Sequence, residues 1–176
     1  KIALLGKNTA AVNALETLLD KSVEIVLVSP NKSDIGEEGW QQSLLKKANY
    51  NNLPVKQFHQ IKHESSIKYL KTLQLDFIFS IQYDQIINQD VIDTAKYGAI
   101  NLHFAPLPKY RGVSPIALAI LNGETEFGVS LHYMDPGVDT GDIISQIFFD
   151  IREIENARKL YDLCVVKSNE LFDDTI

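Results

Sequence analysis

Short, almost wholly apolar runs alternate with stretches of helical periodicity along this chain, and that alternation limits its fold more than any other feature. Residues 1–6 read as a strand buried on both faces, because the apolar run is nearly uninterrupted. In residues 9–20, Ala11, Val12, Leu15, Leu18 and Leu19 fall at the spacing of one helix face. Residues 24–29 read as a second buried strand, and the turn formers of 30–36 make a loop. The same reasoning gives a helix over 40–50, a strand over 55–58, a helix over 64–73 and a strand over 76–80. A short helix over 88–95 and a fifth strand over 98–102 follow. Residues 114–121 predict a helix with Ser114 as N-cap, Pro115 in its first turn and Gly123 past its end. Residues 128–134 alternate, with Val129, Leu131 and Tyr133 on one face. The last strand is expected over 143–150 and the last helix over 153–172.

Strand–helix alternation of this kind predicts an α/β fold: an open, mostly parallel, Rossmann-like sheet with helices on both faces. The last two strands have no helix between them, so they cannot pair in parallel, and an antiparallel pairing is expected there. With 176 residues, 45% of them hydrophobic, the chain suffices for one domain, residues 1–176, with its own core. It starts at Lys1 rather than Met and stops in an acidic helical stretch, so the natural chain is expected to continue beyond residue 176.

No apolar run is long enough to span a membrane, and the N-terminus lacks the shape of a signal peptide. The single Cys164 leaves no internal disulfide, which fits a reducing compartment. These features predict a cytoplasmic protein with no membrane partner, and Cys164 itself reads as a small buried apolar residue. The net charge of −6 disfavours a polyanion such as nucleic acid as partner.

Chemistry concentrates after the fifth expected strand. In open α/β sheets ligands collect beyond the carboxyl ends of the strands. Asn101 and His103 stand there, and residues two apart on an extended chain face the same side. Pro106 and Pro108 keep the following segment out of helix. An amide N–H can stabilise an oxyanion, and an imidazole can move a proton near neutral pH. A carboxylate can orient that imidazole. Asp135, Asp139 and Asp142 are the candidates, and spacing alone does not choose among them.

Other signals have simpler readings. His59 and His63 are a solvated surface pair rather than metal ligands, and no metal is expected. His132 reads as a satisfied structural residue or a substrate contact. The turn from Gly6 to Ala11 holds one of the three glycines of a dinucleotide fingerprint, so a plain strand–helix turn is favoured. The helix N-terminus that follows could still line a substrate phosphate.

The segment from Asn101 through His103, Pro106, Leu107 and Pro108 to Gly112, followed by Asp139, Thr140 and Gly141, resembles the folate-dependent formyltransferases. That family pairs an Asn-x-His with a Leu-Pro-x-x-x-Gly loop and an Asp-x-Gly loop, and the resemblance picks Asp139. It implies transfer of a formyl group from 10-formyltetrahydrofolate, with Asn101, His103 and Asp139 as catalytic residues. By the same resemblance Gln85, Ile86 and Ile87, and separately Asp135, Pro136, Gly137 and Val138, are expected to contact the folate. Lys109, Tyr110 and Arg111 are expected to contact an anionic substrate or the folate tail. The turn after Gly6 lacks the Gly-Ser-rich sequence of the purine-synthesis branch. One sugar-nucleotide branch carries Arg directly after the loop glycine, where this chain has Val113.

By the same resemblance, the segments Gly39 to Ser43 and Ser80 to Tyr83 favour a small-molecule amine as acceptor, a nucleotide-linked 4-amino sugar. Methionyl-tRNA is the alternative acceptor, and a homodimer is compatible with this reading. Two other classes stay open: a formylfolate hydrolase and a non-catalytic nucleotide-binding module.

Overall fold

A computed structural model describes all 176 residues. The chain divides into two compact units, Lys1–Asn101 and Leu102–Ile176. Its six strands form a sheet in the order β2-β1-β3-β4-β5-β6, with helices between them.

The first unit holds β1 (Ile2–Gly6), α1 (Asn8–Asp20), β2 (Ile25–Pro30), α2 (Leu44–Tyr50), α3 (Glu64–Thr72), β3 (Phe77–Ile81) and α4 (Gln89–Ile92). Strand β1 pairs in parallel with both β2 and β3, and all of its residues are buried. That double coverage is why its sequence is a continuous apolar run instead of an alternating one. Helix α1 lays Ala11, Val12, Leu15 and Leu18 into the core, fully or almost fully buried. Gly6 is needed where β1 turns into α1. A Cβ there would stand 2.4 Å from the Ile81 carbonyl oxygen and 2.8 Å from the Ala11 Cβ.

Three expectations in this unit need correction, the first being that α4 ends at Ile92 and not at residue 95. Helix α2 starts at Leu44, not at residue 40, because Ser43 caps it. Its hydroxyl accepts the Lys46 N–H at 3.0 Å and donates to Asp34 Oδ1 at 2.6 Å. Residues 55–58 are not a strand. Val55 makes a single parallel bridge to Val28, and the Gln57 amide then binds the carbonyls of Asn31 and Asp34, which draws the chain into the loop. Strand β4 (Ala99–His103) is therefore the fourth strand and not the fifth. His63, one of the two surface histidines, serves as N-cap of α3.

The second unit contains the end of β4, then α5 (Pro115–Leu121), β5 (Glu126–Tyr133), β6 (Ile143–Asp150) and α6 (Ala157–Thr175). Strands β5 and β6 pair antiparallel, Phe127 opposite Phe149 and Leu131 opposite Ser145. The expected alternation of β5 does not hold: six consecutive residues, Phe127 to His132, are buried. Both faces are covered, so Ser130 and His132 point into the interior as polar groups that need partners. Helix α6 buries Leu160, Cys164, Val165, Leu171 and Phe172. It starts at Ala157, later than expected, because Asn156 Oδ1 caps the Lys159 N–H at 3.0 Å. Burial pushes the Cys164 thiol far up, which keeps it in its unreactive neutral form. Ser114 precedes α5 in a left-handed conformation, φ 60°, and makes no cap bond with its side chain.

Candidate active site

The segment after β4 is clamped from beneath by polar side chains of β5 and β6. Ser130 Oγ donates to the Ala105 carbonyl at 2.6 Å and accepts the Leu107 N–H at 3.1 Å. Gln146 Nε2 donates to the Leu107 carbonyl and to Ser130 Oγ, both at 2.8 Å. The prolines keep this segment out of helix, and these bonds satisfy its backbone groups instead. Farther along, the Tyr110 hydroxyl donates to Glu124 Oε1 at 2.5 Å and accepts from Asn122 Nδ2 at 2.9 Å.

His103 ends β4 and is nearly buried. Its Nε2 lies 2.9 Å from the Tyr110 carbonyl oxygen. A carbonyl can only accept, so Nε2 carries a hydrogen and the tautomer is fixed at that end. Its Nδ1 faces Asp139 Oδ2 at 3.7 Å. Asp139 stands in the left-handed region, φ 50°, and is held there by the Gly112 N–H, which donates to Oδ2 at 2.8 Å. Its other oxygen, Oδ1, lies 3.5 Å from Nε2 of His132. The carboxylate thus sits between two imidazoles at ion-pair distance. Of the three candidate carboxylates, Asp139 is the one placed there. Asp135 accepts from the Gly137 N–H and the Thr140 hydroxyl inside its own loop, while Asp142 meets Tyr133 through its backbone carbonyl.

Asn101 lies two residues before His103 on β4, half-buried, so its side chain leaves the strand on the same face. The other expected contacts are placed as follows. The Gln85 amide is occupied by backbone, accepting the Ile61 N–H at 2.7 Å and donating to the Phe58 carbonyl at 2.9 Å. Ile86 is exposed and Ile87 buried. Pro136, Gly137 and Val138 form an exposed loop, as do Lys109 and Arg111. The Tyr110 hydroxyl is taken by Glu124 and Asn122, and its backbone carbonyl by His103. At the start of α1 the Thr9 N–H is bonded by Gln41 Oε1 at 2.9 Å, and Thr9 Oγ1 accepts the Gln42 N–H at 3.2 Å.

Burial by itself would raise the Asp139 carboxyl. The His132 imidazole facing Oδ1, the charge of His103 and the Gly112 N–H outweigh it and hold the group below the usual carboxylate range. A carboxyl lowered in the folded state adds stability above its unfolded value, about pH 4. That contribution is lost as pH falls through the folded value. Urea unfolding followed from about pH 5 down to about pH 2 should therefore show a steeper loss in the native protein than in Asp139→Asn. Parallel curves would mean that these three groups do not hold the anion.

The sequence profile of the family described as Formyl transferase matches residues 1–175. The chain belongs to the formyltransferase family. Among its curated relatives, the methionyl-tRNA formyltransferase of Clostridium novyi (strain NT) is 36% identical over 179 residues, covering 100% of this chain and 58% of its own. Among solved structures, WlaRD, a sugar 3N-formyl transferase crystallised in the presence of dTDP and 5-N-formyl-THF, superposes with a TM-score of 0.81. It is 38% identical, covering 99% of this chain and 60% of its own. The N-formyltransferase from Helicobacter canadensis in complex with folinic acid and dTDP-3-aminofucose gives a TM-score of 0.80 at 35% identity, covering 99% of this chain and 61% of its own. The formyltransferase chain described here thus spans about 58% of the length of that curated relative. None of its helices is long and apolar enough to cross a membrane.

Proposed function

We propose that this chain is the catalytic part of an enzyme that moves the formyl group of 10-formyltetrahydrofolate onto the amine of a nucleotide-linked amino sugar, in the cytoplasm. The observation that carries formyl transfer is the cluster of His103, Asp139 and the Gly112 N–H at the end of β4, in a chain of this family. The neutral amine attacks the formyl carbon and the carbonyl becomes a tetrahedral oxyanion. Asn101 donates to that oxyanion. His103 takes the proton from the new ammonium and delivers it to the folate nitrogen as the bond from that nitrogen to the formyl carbon breaks. Asp139 orients the imidazole and balances its charge while it holds the proton. Asp135, Pro136, Gly137 and Val138 are the candidate pterin loop. Gln85, Ile86 and Ile87 are the second candidate folate segment, with Gln85 supporting that segment's backbone rather than reaching the ring itself. Lys109 and Arg111 are the cations offered to an anionic acceptor, and Tyr110 acts from behind them.

Two features support a sugar acceptor. The chain carries 17 Lys and Arg against 23 Asp and Glu, a poor balance for tracking a nucleic-acid backbone. Two similar solved enzymes are named for amino sugars or bound to one. Both involve a 3-amino sugar, so position 3 replaces position 4 as the favoured amine. Methionyl-tRNA is the second reading, favoured by the names of the curated relatives. The test offers 10-formyltetrahydrofolate with dTDP-linked 3-amino and 4-amino sugars, with methionyl-tRNA, and with no acceptor. Formylated sugar, with tRNA inert at low and high salt, is the expected result. Formylation of the tRNA alone would make the second reading correct, and formate release without any amine would make the protein a hydrolase.

A further inference from the structure

From sequence His132 reads as a satisfied structural residue or a substrate contact, and its surroundings define a different role for it. Its side chain is 2% exposed. Nδ1 lies 2.7 Å from the carbonyl oxygen of Tyr133, and a carbonyl can only accept, so Nδ1 carries a hydrogen. The remaining ring nitrogen, Nε2, is turned toward Asp139 Oδ1 at 3.5 Å. If His132 were neutral, that nitrogen would present a lone pair to a carboxylate oxygen in a nearly buried setting. Two electron-rich atoms facing each other there repel, whereas a proton on Nε2 turns the contact into an ion pair. His103 approaches from the opposite side with Nε2 tied to a carbonyl, but its Nδ1 is farther from the carboxylate, 3.7 Å from an Oδ2 that already accepts the Gly112 N–H at 2.8 Å, so its neutral form meets no such repulsion. The two rings stand edge to face, their centroids 6.4 Å apart. Asp139 is faced by His103 from β4, by His132 from β5 and by the Gly112 N–H from the loop before α5. On β6 the residue paired with His132 is the uncharged Ile143.

We infer that His132 is a positioning residue for the reaction: its Nε2 carries a proton that neutralises Asp139 and pins Oδ1, leaving Oδ2 set between the Gly112 N–H and His103 Nδ1. This rests on the formyl-transfer reading for its kinetic consequence, but not for the ion pair itself. The consequence concerns the proton that His103 must take up and release in every turnover. An uncompensated Asp139 anion beside the ring would oppose release of that proton. With His132 as counter-charge, the pair is neutral overall, and His103 can alternate. His132 touches neither substrate nor folate in this scheme; it acts through the carboxylate.

The experiment has one arm that needs no activity and one that does. In the native protein, nitrogen-15 NMR of the imidazoles near neutral pH should show one histidine protonated at both ring nitrogens. The resonances of His132 should be lost in His132→Gln, with the doubly protonated signature passing to His103, whereas in Asp139→Asn neither ring should show it. A neutral His132 in the native protein would overturn the inference whatever the protein catalyses. In the kinetic arm, His132→Leu should lower kcat about tenfold while KM for amine and folate stays within about twofold, as expected for lost orientation of an acid–base group. The limb of the pH–rate profile that belongs to His103 should move to higher pH by about one unit, the sign for removal of a nearby like charge. His132→Gln, whose amide can still donate to Oδ1 without bringing charge, should recover part of kcat but keep the displaced limb. A purely structural His132 would leave the limb in place in both variants, and that result would sink the positioning role. If the native protein transferred no formyl group yet displayed the NMR signature, the ion pair would stand and the proposed reaction would fall.

Discussion

Replacing His103 with alanine is expected to lower formyl transfer by about two orders of magnitude or more, the usual cost of losing a positioned acid–base group. Asn101→Ala should cost a comparable factor by removing an oxyanion donor. Both losses should appear in kcat, because each interaction is realised only as the tetrahedral intermediate forms. Binding of folinic acid, followed by protein fluorescence, should persist in both variants. The His103 change also releases the Tyr110 carbonyl, so its melting curve must be recorded beside its rate. A folded His103→Ala protein with near-native turnover would place the chemistry elsewhere. Loss of folinic acid binding along with rate would mean that these side chains hold the co-substrate instead of acting on it.

Gly141→Ala should be the most damaging single methyl in the second unit. A Cβ at Gly141 would stand 1.9 Å from the Tyr133 carbonyl oxygen and 2.8 Å from its carbon. Those are backbone atoms of β5, which cannot rotate aside as a side chain can. The same carbonyl receives the hydrogen from His132 Nδ1, so relief of the clash disturbs the imidazole too. The expected cost is about 3 kcal/mol, or roughly 10 °C in Tm for a chain of this size, with a loss of turnover in whatever remains folded. Gly123→Ala is the control. Gly123 has φ 65° but nothing within 4 Å of its would-be Cβ, so only the strain of the left-handed conformation applies, about 1 kcal/mol. Equal melting temperatures for the two variants would refute the steric argument.

The elements that could be read from sequence are those whose pattern has one cause. Strand β1 is apolar throughout, and β3 apolar except for the buried Ser80, because both are covered on two faces, and α1 repeats its apolar residues because one face is buried. Residues 55–58 looked the same locally, yet a lone bridge to Val28 is their only strand pairing, since the side-chain amide of Gln57 is drawn to the carbonyls of Asn31 and Asp34. Strand β5 was legible as a strand but not as a doubly covered one. Alternation put His132 on a polar face, and nothing local reveals that Asp139 will be folded back against it. Asn101 and His103 were legible as a pair facing one side, because a strand end and a two-residue spacing define a direction, while the role expected of them came from resemblance. Asp139 emerged from resemblance, because its approach depends on a left-handed turn and on a hydrogen bond from Gly112, both set by tertiary structure.

The side chain of Gln41 lies across the start of α1, bonded to the Thr9 N–H, while the Thr9 hydroxyl is bonded in return by the next residue along. A helix start of this kind is an attractive seat for a phosphoester, and here the protein fills the seat with its own amide. Removing the Gln41 amide would free that N–H and would leave the loop that carries Trp40 without this anchor. One glutamine oxygen thus satisfies a helix N–H and fastens a surface segment with the same atom.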